Sequence, residues 1–401
     1  MQKIGILKNT VQDYAWGSFT AISELLGKQS PSEEPQAELW MGAHPKAPSI
    51  VIYNGEQIPL PELIEKNPED ILGIGVANRF NNRLPYLFKV LAAAKPLSIQ
   101  AHPDLKQAME GFERENNLGL PLNAYNRNYK DYNHKPECIC ALTTFWALNG
   151  FRNISDILSR MEKICRQGLK EELDDLRERS NSQGLKSFFN ALTTMDYKRQ
   201  KQVVGDAIIE AQKLSEEDPV FKWMINLYHE YPSDIGVLFP ILLNLICLEP
   251  GQAMFLPAGE LHSYLDGVGI ELMANSDNVL RGGLTPKHVD VPELMQVLNF
   301  KEKEIDILLP VKINDCESVY QCRTEEFVLS VLSVKEGFGY NSPTKRSVEI
   351  LLCTDGKGAI TGPGEDDKLF IAKGMSVIIP AAVEKYKIEG DAILYKAAVP
   401  D

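Results

Sequence analysis

Six histidines occur in this 401-residue chain, and one of them follows a corner suited to presenting it. The stretch is Gly251-Gln-Ala-Met-Phe-Leu-Pro257-Ala-Gly259-Glu-Leu-His262. Proline fixes φ and glycine accepts a positive φ, so Pro257-x-Gly259 predicts a tight turn after an apolar strand. Such a turn can point the His262 imidazole into the mouth of a β-barrel. A metal needs more ligands than one. Gln100 and His102 end a mostly apolar run from Leu87 and stand two residues apart. On a strand such residues share a face, so an amide oxygen and an imidazole nitrogen project together. Glu137 opens another apolar run, Cys138-Ile-Cys-Ala-Leu142. Two imidazoles, one amide oxygen and one carboxylate form a mixed nitrogen–oxygen set. It suits zinc or another divalent first-row ion and leaves a position for water or substrate.

The spacing Gly-x5-Pro-x-Gly-x2-His resembles the second metal motif of the cupin superfamily, with Asp266 where that motif usually has Asn. Cupins commonly place Glu a few residues after His-x-His. Here Gln100 stands in the first His position, and Glu137 lies far downstream of His102. Further long motifs point to one branch. They are Tyr14-Ala-Trp16-Gly17-Ser18, Ala37-Glu38-Leu-Trp40-Met-Gly42-Ala-His44-Pro45, and the stretches Lys89 to Pro103, Asn128 to Glu137 and Glu271 to Lys287. On these the chain closely resembles the type I phosphomannose isomerase family, over nearly its whole length. The resemblance implies a mainly β protein with a cupin-type jelly-roll (double-stranded β-helix) catalytic domain. It also implies one zinc ion per chain on Gln100, His102, Glu137 and His262. The implied activity interconverts mannose 6-phosphate and fructose 6-phosphate through an enediol or enediolate, within mannose metabolism and the supply of GDP-mannose precursors.

An aldose–ketose isomerase needs a charge to stabilise the developing oxyanion, a general acid/base and a phosphate clamp. Lys135 lies two residues from Glu137 and should share its face. Glu271 sits on a strand opening with Val268-Gly-Ile. Both are acid/base candidates. Arg281 precedes Gly282-Gly283, which let a ligand approach the backbone, and its guanidinium fork can bind two oxygens. Lys89 and Lys287 would add positive charge, and His134 would help hold the sugar. The resemblance supports Arg281, Lys135, Lys89, His134 and Asp277 as pocket residues, with Ser98 also on the substrate side. Asp277 is expected to orient Arg281 or a hydroxyl. Trp16 and Trp40 would stack on a sugar face or pack in the core.

Composition frames these residues. The chain is long enough for two or three domains. Short strands and small helices (Ala21–Leu26, and one opening at Pro61) fill the first part. From about residue 153 to 235 apolar residues recur at helical spacing, as at Val204, Ile208 and Ala211. A catalytic cupin domain of residues 1–152 and 236–310, split by a helical insertion at 153–235, is therefore expected. In 311–401, Gly374-Met-Ser-Val-Ile-Ile-Pro380 repeats the Gly251-to-Pro257 spacing, but Ala382 and Lys385 replace the later glycine and histidine. This predicts a second, metal-free jelly roll with a stabilising role. The net charge of −13 argues against nucleic acid. No run reaches membrane-span length, and Met1-Gln-Lys-Ile does not read as a signal peptide. Seven irregularly spaced cysteines read as reduced thiols of a cytoplasmic protein, expected to act as a monomer on a small sugar phosphate. The competing readings are a non-catalytic sugar-binding cupin and another metal-dependent cupin enzyme.

Overall fold

A computed structural model describes residues 3–53, 55–364 and 368–400. Met1 and Gln2, part of the stretch read above as no signal peptide, lie outside the described residues. The protein is mainly β, and every ladder between its strands is antiparallel. The first strands are β1 (Gly5–Lys8), β2 (Thr10–Gln12), β3 (Glu38–Gly42), β4 (Ile50–Tyr53) and β5 (Glu56–Pro59). Then come β6 (Tyr86–Ala93), β7 (Ile99–Ala101), β8 (Glu137–Ala141) and β9 (Phe145–Phe151). After the helices follow β10 (Leu243–Leu248), β11 (Ala253–Leu256), β12 (His262–Ala274) and β13 (Leu280–Gly283).

One sheet joins β2, β3 and β6–β13; the other joins the C-terminal strands to β1, β4 and β5. The latter three lie within residues 1–152, so hydrogen bonding crosses the boundary drawn from sequence. The two sheets share a core. Phe88, Val90, Cys138, Ile270 and Leu272 pack with Tyr320, Phe327, Ile350, Leu352 and Ile378. This explains the apolar run at β6. All eight of its residues are buried, Phe88 and Val90 against the second sheet and Leu91 in the core on the other face.

The segment from 153 to 235 forms helices Ile154–Cys165, Lys170–Glu178, Ser182–Thr193, Tyr197–Leu214 and Pro219–Glu230. Asn153, Asn181, Asp196 and Asp218 cap four of them by accepting backbone N–H bonds. Val204, Ile208 and Ala211 are buried, as their spacing predicts. A further helix, Leu105–Asn117, lies in the part read as strands and small helices. Asp104 and Gln107 form a capping box at its start, the local signal that marks it.

All seven cysteines are free thiols. The C-terminal echo forms a strand, Ser376–Ile379, followed by a corner whose Ala381 and Ala382 N–H groups bond to Ile71 and Asp70. Lys385 is exposed. Lys385→Ala should therefore change kcat by less than about twofold and leave the melting temperature unchanged, checked by a rate assay and a thermal melt.

Candidate metal centre and substrate pocket

The Pro257-x-Gly259 corner forms as predicted. Gly259 has φ +78°, and a Cβ there would sit 2.9 Å from the Val297 carbonyl oxygen, so only glycine fits without strain. Its N–H donates to the carbonyl of His102 at 2.8 Å, which ties two ligand-bearing segments together. His102, Glu137 and His262 are all buried, and their donor atoms lie within 4.8 Å of one another. His102 Nε2 is 3.3 Å from one Glu137 oxygen, and His262 Nε2 is 3.4 Å from the other.

The tautomers follow from the partners. His102 Nδ1 meets the Asn278 carbonyl at 2.8 Å, and His262 Nδ1 meets the Glu260 carbonyl at 2.9 Å. A carbonyl only accepts, so both Nδ1 atoms carry hydrogen and donate. Both Nε2 atoms are buried without a hydrogen-bond partner, as is one Glu137 oxygen. Burial, with the Lys135 charge, lowers the His102 pKa to about 4, so its Nε2 offers a lone pair at neutral pH. Burial would raise the Glu137 pKa, but the Lys135 charge beside it prevails and holds the carboxyl ionised, well below its usual range. Lone pairs and a carboxylate facing one point, with no proton between them, fit a divalent cation.

Strand register places the fourth expected ligand. Residues directly opposite in an antiparallel ladder share a face. His262 pairs with Gln100, and Gln100 pairs with Arg281 on its other side. His262, Gln100 and Arg281 thus form a row across β12, β7 and β13. A second row, Trp40, Lys89, Glu271 and Ile139, crosses β3, β6, β12 and β8. In a regular strand His262 and Glu271, nine residues apart, would face opposite ways. A register shift between Tyr264 and Asp266 inserts one residue and returns Glu271 to the His262 side.

Lys135 Nζ lies 2.9 Å from Glu137, on the ligand's own face as expected. Lys89 is buried and donates to Glu271 at 2.8 Å, with Glu38 at 3.6 Å. Burial alone would lower its proton affinity, but Glu271 and Glu38 outweigh it and keep the ammonium charged. Burial raises the Glu271 pKa against the pull of Lys89. Arg281 is half-buried and has no ion pair among the described residues. Lys287 and Lys130 lie within its electrostatic reach; burial and these like charges lower the Lys287 pKa. Ser98 is half-buried near the start of β7.

Two residues, Asp277 and His134, have partners other than those expected. Asp277 does not orient Arg281. It pairs with Lys46 at 2.8 Å and His44 at 3.6 Å, because the loop after β3 meets it first. His134 bonds Glu326 in the C-terminal part at 2.6 Å. Trp16 packs on the core and stacks with Tyr14, while Trp40 is buried and donates to Glu38 at 2.6 Å. Sequence reasoning gave Asn278 no role. Its carbonyl accepts from His102, and its side chain bonds the backbone at Lys130, Asp131 and Asn133. Only its place in the polar run Asn275-Ser-Asp-Asn could have marked it.

Two imidazoles and a carboxylate converging on one buried point of an antiparallel sheet, near the cationic Arg281, Lys287 and Lys130, fit a metal-dependent enzyme. The family comparisons narrow this. Residues 4–154 match the family model "Phosphomannose isomerase type I, catalytic domain", and 318–398 match "Mannose-6-phosphate isomerase, cupin domain". Mannose-6-phosphate isomerase of Salmonella typhimurium is 42% identical over 95% of both chains. The Homo sapiens enzyme is 34% identical over 94% of this chain and 93% of its own. A zinc-bound crystal structure of mannose 6-phosphate isomerase superposes with a TM-score of 0.91 at 38% identity, covering all of both chains. The chain belongs to the type I phosphomannose isomerase family.

His262→Ala should lose stoichiometric zinc yet stay folded, read by metal analysis beside circular dichroism. A His262→Ala protein with full zinc content would remove His262 from the ligand set. Metal-free protein should also show a pH signature. The buried site admits only neutral His102, whereas the unfolded chain takes up a proton near the ordinary value of 6.5. Stability from this group is fully present above 6.5 and is lost as pH falls towards about 4. Denaturant titrations across this window should slope less in His102→Asn.

Proposed function

We propose that this protein is a zinc-dependent aldose–ketose isomerase interconverting mannose 6-phosphate and fructose 6-phosphate. The family match across the whole chain carries the reading, and the buried His102–Glu137–His262 group supplies its chemistry. Gln100 would complete the ligand set. When bound, the ion acts as a Lewis acid on the developing oxyanion.

The chain's own residues do the rest. In the aldose-to-ketose direction the C2 proton is removed, leaving an enediolate. A proton returns at C1, and the hydroxyl proton moves from O2 to O1. Lys135 and Glu271 form the acid/base pair. Burial raises the proton affinity of Glu271, which favours it as a proton acceptor, while Lys89 holds the carboxyl in place. Arg281 faces the pocket from the row that contains His262 and Gln100, so it binds substrate oxygens rather than metal. With Lys287 and Lys130 it makes a local cationic patch for phosphate against a net charge of −13. Ser98, near the same strand, lies on the substrate side.

One chain supplies every proposed ligand and acid/base group, which supports a monomer as the working unit. We place it in the cytoplasm, with residues 1–152 and 236–310 as catalytic domain, 153–235 as helical insertion and 311–401 as metal-free C-terminal domain. No helix among the described residues is long and apolar enough to cross a membrane.

Chelation should abolish turnover of mannose 6-phosphate in a coupled assay, and zinc should restore it. Arg281→Lys should lower kcat/KM by ~2–4 kcal/mol, or roughly two to three orders of magnitude, because an ammonium cannot reproduce the fork. Zinc content should stay at the wild-type level. An effect below about fivefold, or parallel zinc loss, would take Arg281 out of the substrate site.

A further inference from the structure

One short segment of the C-terminal part makes polar contacts on both sides of the catalytic strand β8. Tyr320 ends the strand Glu317–Tyr320, and its hydroxyl donates to the Gly251 carbonyl at 2.9 Å. The Cys140 thiol, on β8, meets the same hydroxyl at 3.1 Å. Six residues on, Glu326 bonds His134 Nε2 at 2.6 Å, across 192 residues of sequence. Its second oxygen accepts from the Thr324 hydroxyl, so the carboxylate is held on both sides. The segment therefore braces β8, which begins with Glu137, and grips the residue next to Lys135.

The grip has little slack. Pro136 fixes its own φ and restricts Lys135 to extended backbone. The residues before His134 are tied elsewhere, since the Asn133 carbonyl accepts from Ser276 and Asn278. Lys135 therefore hangs between an anchored proline and an anchored histidine, with its ammonium 2.9 Å from Glu137. Of these anchors, only His134 is held by the C-terminal part.

We propose that Glu326 is a positioning residue for the reaction: by holding His134 it sets Lys135 against Glu137, so the metal-free C-terminal domain takes part in organising the catalytic site. This rests on the acid/base role given to Lys135 above. Glu326 touches neither the ligand nitrogens nor the reacting atoms, and its effect runs through the backbone at 134–135.

The test uses the full-length, zinc-loaded enzyme. Glu326→Ala should lower kcat about tenfold, the scale typical when a group behind a functional residue is lost, with KM within about twofold of wild type and zinc content unchanged. Glu326→Gln should recover most of the loss, because its amide oxygen still accepts from His134. His134→Phe breaks the same bond from the other side and should reproduce the kcat loss. It carries the test alone if Glu326→Ala does not fold. The double variant should be no slower than either single one. Wild-type kcat in Glu326→Ala, a rise confined to KM, or a kcat loss matched by zinc loss overturns the proposal. Lys135→Met separates the two readings. If it is inactive while Glu326→Ala is unaffected, only the positioning role fails. If Lys135→Met keeps full activity, the acid/base assignment fails, and this inference with it.

Discussion

Everything in this site depends on one unfavourable contact. Glu137 is buried between two imidazole nitrogens at 3.3 and 3.4 Å, and neither approach makes a hydrogen bond. Both imidazoles have spent their Nδ1 proton on backbone carbonyls, and the His102 ring is neutral. An ionised carboxylate facing such lone pairs, away from water, is costly without a cation. The scaffold maintains the arrangement through backbone groups, among them the Gly259 N–H that bonds the His102 carbonyl. Those holds come from the chain itself and orient both imidazoles through their Nδ1 atoms.

A second buried charge system lies beside the first. Lys89, in the middle of an apolar strand, is flanked by Glu271 and Glu38, and Trp40 donates to Glu38 in turn. Alone, an ammonium in β6 would be expensive; with two carboxylates it stays charged. The metal-site residues and the Glu271 layer share β12 and β8, which puts the carboxylate proposed as proton acceptor next to the candidate metal position. Arg281 is different. It has no carboxylate partner among the described residues, and a half-buried guanidinium left unpaired is available to an anion.

The two sheets pack back to back over a continuous core. The C-terminal part buries the outer face of the strands that bear Lys89, Glu137 and Glu271. It also reaches the loop before β8 through Glu326. The setting of Lys135 and Glu271, the proposed acid/base residues, is thus shared between distant parts of the chain.

Much of this was legible in residue order alone. The Pro257-x-Gly259 corner is local geometry, while the strand expected to carry both Gln100 and His102 ends at Ala101, one residue short of His102. The helical stretch from 153 to 235 shows its own apolar spacing. These features depend on residues near one another in the chain, so sequence carries them. What sequence could not show depends on contacts between distant segments. The residue inserted between Tyr264 and Asp266 leaves no mark in composition, yet it decides that Glu271 faces the metal side. Asp277 looked free to orient Arg281 until the loop after β3 brought Lys46 to it. His134 looked like a sugar contact until a loop nearly two hundred residues later supplied Glu326. In each case the deciding partner is set by strand register and sheet packing. Those arise from burial summed over the whole core, and no local stretch of sequence contains that sum.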